Sequence, residues 1–217
     1  MEIEKFREQF IDQLRFDADH NGTEPEVQFL NKMLEDLESI GELNDPVPMS
    51  VEMNGRRNRK MAFDAYAYDE ADSALILIAC DFNNERDTVK TLTNGRINEL
   101  YSHMLYFLDE ALNGKISDYC DDSNPAIIVA KEFRKRVGKS MLDTEILRFK
   151  FYILSDSVLS KQVKSIAQED FEGRPVELNI WTLERIFQTF QSDASEIVEF
   201  DTAEFGCDGI QYLKAAW

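Results

Sequence analysis

The stretch that decides the fold is MAFDAYAYDEADSALILIACDF at 61–82. It holds two short apolar runs, 61–68 and 74–82, separated by polar turn residues. Two such runs around a turn predict a β-hairpin. Both alternating faces of the second run are apolar, which predicts a central strand. In the first run, simple alternation places Phe63, Ala65 and Ala67 on one face and Asp64 on the other.

Each run carries one aspartate, Asp64 in the first and Asp81 at the end of the second. Carboxylates among apolar residues are unfavourable unless they are hydrogen-bonded, paired or bound to a metal. Two aspartates on adjoining strands suit a hard cation, and strand ends often carry site residues in α/β sheets. We therefore predict Asp64 and Asp81 as catalytic residues and ligands of Mg²⁺. The structural alternative is that Asp64 bonds to the backbone and Asp81 caps the following turn.

Asn83, two residues after Asp81, is the third predicted catalytic position. A metal-dependent nuclease would normally have a lysine there, which orients water or stabilises developing negative charge. Asparagine can hold a water molecule but brings no charge. Cations elsewhere in the chain are candidate substitutes, namely Lys60, Lys90 and Arg96. Further carboxylates are available on the predicted helices, namely Glu35, Glu38 and Glu99.

The net charge limits the partners of this chain. Its 217 residues include 42 acidic and 24 basic side chains, giving a net charge of −18. Such a field opposes nucleic-acid binding, because phosphate contacts draw on Lys and Arg. Two basic clusters, RRNRK at 56–60 and KEFRKRVGK at 131–139, run against this trend. Such clusters are usually a solvated loop and an outer helix face, but we predict Arg56, Arg57 and Lys60 as nucleic-acid contacts.

No feature of the sequence predicts a membrane span or an export signal. No apolar run approaches the ~20 residues that cross a bilayer. The first residues, MEIEKFREQFIDQLRF, have helical spacing and do not resemble a signal peptide. Three cysteines without a CxxC motif indicate free thiols in a reducing compartment. We therefore expect a cytoplasmic protein.

Helical spacing predicts four helices before the C-terminal third. They cover 3–18, a segment from an N-cap at Thr23 to Gly41, a long segment ending at 112, and 125–137. A strand at 49–54 precedes the hairpin. The C-terminal third predicts a strand at 146–155, a helix at 159–169, a strand at 176–181, a helix at 182–190 and a last extended segment at 196–200.

This order of elements fits an α/β fold with a central mixed sheet between helices. The restriction-endonuclease-like fold, a three-layer α/β/α architecture, shares the order. We expect a helical extension at 1–44 packed on the core and a nuclease-like α/β core at 45–201. Residues 202–217 are then a tail, or a linker to a further C-terminal region.

Several segments resemble the N-terminal region of the abortive infection phage-resistance (AIPR) family. The matching features are Asp64 with Tyr66, the strand ending in Asp81-Phe82, the segment Thr91-Leu92-Thr93, and residues 176–183 with Trp181. The resemblance covers nearly the whole chain, although Ala65 stands where the family often has glycine. It implies a bacterial or phage-encoded intracellular protein of phage defence, either an N-terminal domain or a short relative. It carries over Asp64 and Asp81 as site positions.

Three functional hypotheses follow. The first is a nuclease-like domain of a phage-defence protein, in which Mg²⁺ at Asp64 and Asp81 supports phosphodiester hydrolysis. The second is a catalytically inactive sensing or interaction module of the same family. Its partner would be another protein, its own C-terminal region or a second copy of the chain. The third is a DNA mimic, which is disfavoured because the acidic residues are not spaced in rows.

Overall fold

A six-stranded mixed sheet forms the centre of the computed structural model, which describes residues 3–85, 88–138, 144–161, 163 and 169–195. Its strands are β1 (Val47–Asn54), β2 (Lys60–Asp69), β3 (Ala74–Asp81), β5 (Arg148–Ser155), β7 (Glu169–Phe171) and β8 (Arg174–Thr182). Their spatial order is β1-β2-β3-β5-β8-β7. Two short strands, β4 (Thr91–Leu92) and β6 (Val158–Leu159), form a separate parallel pair.

In the part of the chain that the structure describes, five α-helices accompany the sheet. They are α1 (Ile3–Asn21), α2 (Pro25–Ser39), α3 (Asn94–Leu112), α4 (Pro125–Val137) and α5 (Leu183–Ser195). Among the described residues, none of these helices combines the length and apolar character that a bilayer crossing needs. The fold is thus mixed α/β, as the element order predicts.

The sheet changes from antiparallel to parallel pairing at β3. Strands β1, β2 and β3 pair antiparallel, whereas β3, β5 and β8 run parallel. The predicted hairpin is confirmed, because Asp69 pairs with Ala74 around the turn. The predicted central position of β3 is also confirmed, because it lies between β2 and β5 and is buried from Ala74 to Cys80.

Both faces of the sheet are covered by helices. Leu75 and Leu77 of β3 belong to a core with the buried residues of α3 and α4. Ile76 and Ile78 belong to a second core with α1, α2 and α5. Successive side chains of a strand point to opposite faces, so an apolar strand without alternation can supply both cores.

Helices α3 and α4 connect β3 to the parallel strand β5, as a crossover connection requires. Each begins at a side-chain cap. The hydroxyl of Thr93 accepts a hydrogen bond from the N–H of Arg96 at 3.3 Å, and the side chain of Asn124 accepts one from the N–H of Ala126 at 2.9 Å. The Thr93 cap fixes where α3 begins and thereby places Arg96 in its first turn.

Several boundaries differ from the predictions. Helix α2 begins at Pro25 after Glu24, and Thr23 is not its cap, because the Thr23 hydroxyl accepts a hydrogen bond from the Gln28 side chain instead. Strand β1 begins at Val47 instead of Met49, and it includes Pro48. The helix predicted at 159–169 is wrong at both ends, since Leu159 lies in β6 and Glu169 in β7. Its middle, the segment predicted at 196–200 and the tail 202–217 lie outside the described residues.

Candidate functional site

The parallel strands β3, β5 and β8 end together, and polar residues collect there. Asp81, Ser155 and Thr182 are aligned in register across the three strands. We call this end of the strands the carboxyl edge. Ligand sites of open α/β sheets lie outside such an edge. A binding or catalytic site is therefore expected at the carboxyl edge.

Asp81 is held at the carboxyl edge by two partners. The Nε atom of Arg96 lies 2.8 Å from its Oδ1, and the Ser155 hydroxyl donates to its Oδ2 at 3.1 Å. Arg96 also contacts Glu99, 3.0 Å away on the same helix. Burial lowers the pKa of Arg96, but its bonds to Asp81 and Glu99 outweigh burial and raise it overall. The guanidinium is thus a fixed positive charge beside Asp81.

Asp64 lies where the ladder of β2 is irregular. Opposite it, β1 carries one extra residue between Pro48 and Val51. The predicted alternation is wrong here, because Phe63 packs in the core of α3 and α4, whereas Ala65 packs in the other core. A bulge disrupts the ladder locally and increases the twist of the paired strands. Asp64 lies between these two residues.

The Asp64 carboxylate takes the place of a backbone carbonyl as a hydrogen-bond acceptor in the sheet. Its Oδ2 accepts a hydrogen bond from the backbone N–H of Cys80 at 2.8 Å, beyond the last paired residues Ala65 and Ile78. Its Oδ1 receives a longer bond of 3.4 Å from the Ser50 hydroxyl. This is the backbone bond that the structural alternative expected, so Asp64 has at least that role.

The charge of Asp64 is poorly compensated. Burial raises the pKa of the half-buried Asp64 carboxyl above 3.8, and the nearby acids Glu26 and Glu52 raise it further. The hydrogen bonds from Cys80 and Ser50 lower the pKa but do not offset these effects. Such a carboxylate favours a proton or a cation.

Asp64 and Asp81 are neighbours on adjoining strands, since Asp64 binds the amide of the residue before Asp81. Their hydrogen-bond partners are nevertheless separate, Cys80 and Ser50 for Asp64 and Arg96 and Ser155 for Asp81. Within the described ranges, no group of three or more His, Cys, Asp or Glu side chains is arranged to hold a metal ion. Joint Mg²⁺ binding by the pair stays a prediction.

Asn83 is engaged inside the protein. Its backbone N–H and side-chain amide both donate to Oδ1 of Asp156, at 3.0 and 2.8 Å, and the side chain also donates to Ser157 at 2.9 Å. Asp156 follows β5 and is only 1% exposed. In this arrangement Asn83 ties the chain after β3 to the chain after β5. Its predicted catalytic role stays a prediction.

Of the three cations expected as substitutes for a lysine at position 83, only Arg96 contacts Asp81 in the described part of the chain. Lys90 binds Glu85 at 2.8 Å, and Lys60 binds Glu52 at 3.0 Å. Of these three residues, Arg96 therefore supplies the positive charge beside Asp81.

The basic cluster at 56–60 forms the exposed turn between β1 and β2. Arg56 and Arg57 lie in a short 3-10 turn, and Arg57 has a φ of 60°. Arg59 lies over the ring of Tyr106, 4.9 Å from its centroid. Arg56 also borders a depression lined by acidic residues of α3. The predicted nucleic-acid contacts are thus accessible, but they lie beside negative charge.

Two site residues were not predicted, Ser155 and Asp156. Ser155 ends the apolar strand predicted at 146–155, just as Asp81 ends an apolar strand, and Asp156 follows it, so the sequence contains a local signal for them. Their position beside Asp81 depends on the parallel pairing of β3 with β5. That pairing joins residues 74 positions apart and leaves no local trace.

Comparison with known families identifies the chain. The family model for the abortive infection phage resistance protein N-terminal domain matches residues 29–188, about three quarters of the sequence. Searches of curated proteins and of solved structures found no match. The match includes the sheet and both proposed aspartates. The chain therefore belongs to the family of abortive infection phage resistance protein N-terminal domains, which indicates a role in phage defence.

Proposed function

We propose that this domain is a nuclease-like module of phage defence, built on Asp64 and Asp81 and using Mg²⁺. Its topology supports the proposal. The order helix, three strands, helix and strand is present in α2, β1 to β3, α3 and β5, with α4 inserted before β5. This matches the first part of the order from which a restriction-endonuclease-like core was predicted. Of the helix and strand that complete that order, β8 is present, whereas the helix predicted at 159–169 is wrong at both ends.

The observation that carries the proposal is the contact of Arg96 with Asp81. A phosphodiester gains negative charge in the transition state, and a fixed cation stabilises it. Asn83 brings no such charge, whereas the Arg96 guanidinium lies 2.8 Å from Asp81. Arg96 is thus positioned to take the role of the lysine that a nuclease would normally have at position 83.

The residues present fit a divalent cation at Asp64 better than at Asp81. The charged groups that act on Asp64, Glu26 and Glu52, are both acidic, so a cation would relieve their repulsion. Asp81 already has a cationic partner, Arg96, so a metal ion would have to share the Asp81 carboxylate with the guanidinium. Mg²⁺ bound by both carboxylates would supply a water of lowered pKa as the nucleophile. Arg56, Arg57 and Lys60 would hold the nucleic-acid backbone.

The test is cleavage of single-stranded DNA, duplex DNA and RNA with Mg²⁺ or Mn²⁺. We compare the wild type with Asp81→Asn and with Glu70→Gln, an exposed acid in the β2–β3 turn, as the matched control. We expect cleavage by the wild type and the control and none by Asp81→Asn. Equal cleavage by all three proteins, or none by any, would overturn the proposal.

One observation favours the second candidate, a non-catalytic sensing or interaction module. Each predicted catalytic side chain has a partner within the protein: Asp64 has Cys80, Asp81 has Arg96, and Asn83 has Asp156. A module of this kind would bind another protein, its own C-terminal region or a second copy. It predicts no rise in melting temperature with Mn²⁺, because nothing would bind the metal. A rise that Asp64→Ala removes would exclude it.

A further inference from the structure

Helix α1 contacts the carboxyl edge through two arginines on its inward side. Arg7 is 4% exposed, and its Nη2 atom lies 3.6 Å from Oδ2 of Asp156. Two turns further on, Arg15 donates to the side chain of Asn84 at 2.9 Å and to its backbone carbonyl at 2.5 Å. Arginines normally extend to solvent, so two that point inward indicate a specific role.

Asp156 connects α1 to the chain after β3. One of its carboxylate oxygens faces Arg7, and the other accepts both hydrogen bonds from Asn83. Its side chain has no exposure to solvent. A buried carboxylate requires its cation, since the charge cannot be solvated by water. The docking of Arg7 therefore stabilises the acceptor that holds Asn83.

The segment 82–84 is fixed by a different element at each residue. Phe82 stacks on Phe29 of α2 with ring centroids 4.7 Å apart. Asn83 is bound to Asp156, and Asn84 is bound to Arg15 of α1. We call residues 82–84 the edge loop. It follows Asp81 directly, so its position fixes the end of β3.

Helix α1 is in turn anchored to the last described helix. The ring of Phe6, next to Arg7, lies 4.9 Å from the ring of Phe187 on α5. Phe10 continues the row of rings to Phe29, at 6.1 Å. The match to the family model begins at residue 29, after α1. The contacts of α1 with the edge loop thus come from outside the matched region.

We propose that α1 is a clamp on the carboxyl edge, in which Arg7 and Arg15 are positioning residues for the edge loop and for Asp81. The edge loop holds its position only while α1 is docked. This role of α1 does not depend on nuclease activity, because it concerns only the position of the edge loop.

The test measures hydrogen exchange of individual amides by NMR in the full chain. The probe is the N–H of Asn83, which donates to Asp156, and the reference is the amides of β3 and β5 in the middle of the sheet. Arg15→Met keeps the apolar stem of the side chain and removes both bonds to Asn84. We expect the Asn83 amide to exchange about tenfold faster, because hydrogen bonds from a charged donor are lost, with the reference amides unchanged.

Lys5→Met, on the exposed side of the same helix, is the matched control and should exchange as the wild type. Arg7→Met is the second variant; it removes the cation that faces Asp156, and it should accelerate the same amide. The proposal is overturned if the Asn83 amide in Arg15→Met matches that of Lys5→Met. It is equally overturned if the reference amides accelerate by the same factor, since α1 would then stabilise only the whole fold.

Discussion

Arg96 donates from its Nε atom to Oδ1 of Asp81 across 2.8 Å, joining the first turn of α3 to the end of β3. This guanidinium occupies one side of the carboxylate that we propose as a metal ligand. Arg96→Gln should therefore strengthen the binding of Mn²⁺ at Asp81. A tenfold gain in affinity corresponds to about 1.4 kcal/mol, or a further rise in melting temperature of about 3–6 °C at saturating metal.

The same substitution should slow cleavage if Arg96 also stabilises the transition state. Opposite effects on metal binding and on cleavage would separate this role from simple loss of folding. The double variant Asp81→Asn with Arg96→Gln is the control, and it should lose the additional Mn²⁺ effect. If Mn²⁺ raises the melting temperature of Arg96→Gln by the same amount as that of the wild type, Arg96 does not compete with the metal.

Asp64 gives a prediction about pH. Its folded pKa is raised above 3.8, so the folded state binds this proton more tightly than the unfolded chain does. The corresponding stability is present below about pH 4 and is lost as pH rises through the folded pKa. At pH 7 we expect Asp64→Asn to be at least as stable as the wild type, because the amide oxygen still accepts the Cys80 N–H bond without a buried charge.

Asp64→Ala should behave differently from Asp64→Asn. It leaves the Cys80 N–H without its acceptor, and we expect a loss of about 1–3 kcal/mol in the free energy of unfolding. Urea denaturation of the three proteins at pH 4 and pH 7 measures both effects. A wild type more stable than Asp64→Asn at pH 7 and not at pH 4 would mean that the charge is stabilised by a group we have not identified.

Local pattern predicted much of the sheet but not its site. The two apolar faces of β3 are visible at 74–80, so its central position followed from the sequence. The bulge opposite Asp64 could not be predicted, because it depends on how β1 meets β2, and beside it Phe63 and Ala65 lie on opposite faces instead of the same face. The contact of Arg96 with Asp81 depends on the direction in which α3 runs relative to the end of β3. Periodicity carries no information on that direction.

The basic turn gives a prediction about salt. If Arg56, Arg57 and Lys60 contact phosphates, changing all three to alanine should weaken binding of duplex DNA about equally for every sequence. The slope of log affinity against log salt concentration should fall by about 0.9 for each lost contact. Fluorescence anisotropy at several salt concentrations measures this slope.

Lys32→Ala is the control for the basic turn, because Lys32 lies outside that turn, on α2, where it pairs with Asp36. It should leave the slope unchanged. An unchanged slope in the triple variant would show that these residues form only a solvated turn.

The last prediction concerns an ion cluster at the opposite end of β3 from the carboxyl edge. Lys150 of β5 is 12% exposed at its side chain and binds Asp69 at 2.9 Å and Asp72 at 2.6 Å in the β2–β3 turn. Burial alone would raise the pKa of Asp69, but the bonds from Lys150 and the Asp72 amide lower it overall. Its stabilising effect is therefore present above about pH 4 and is lost as pH falls through the folded pKa.

Lys150→Met should lower the free energy of unfolding by about 1–2 kcal/mol at pH 7, because it leaves the partly buried Asp69 carboxylate without its cation. The difference from the wild type should shrink as pH falls through the lowered pKa of Asp69, where this carboxylate becomes protonated. Lys32→Met, which breaks an exposed pair within one helix, should cost no more than about 0.5 kcal/mol. A difference between Lys150→Met and the wild type that does not change with pH would mean that Lys150 contributes through the packing of its apolar stem instead of its charge.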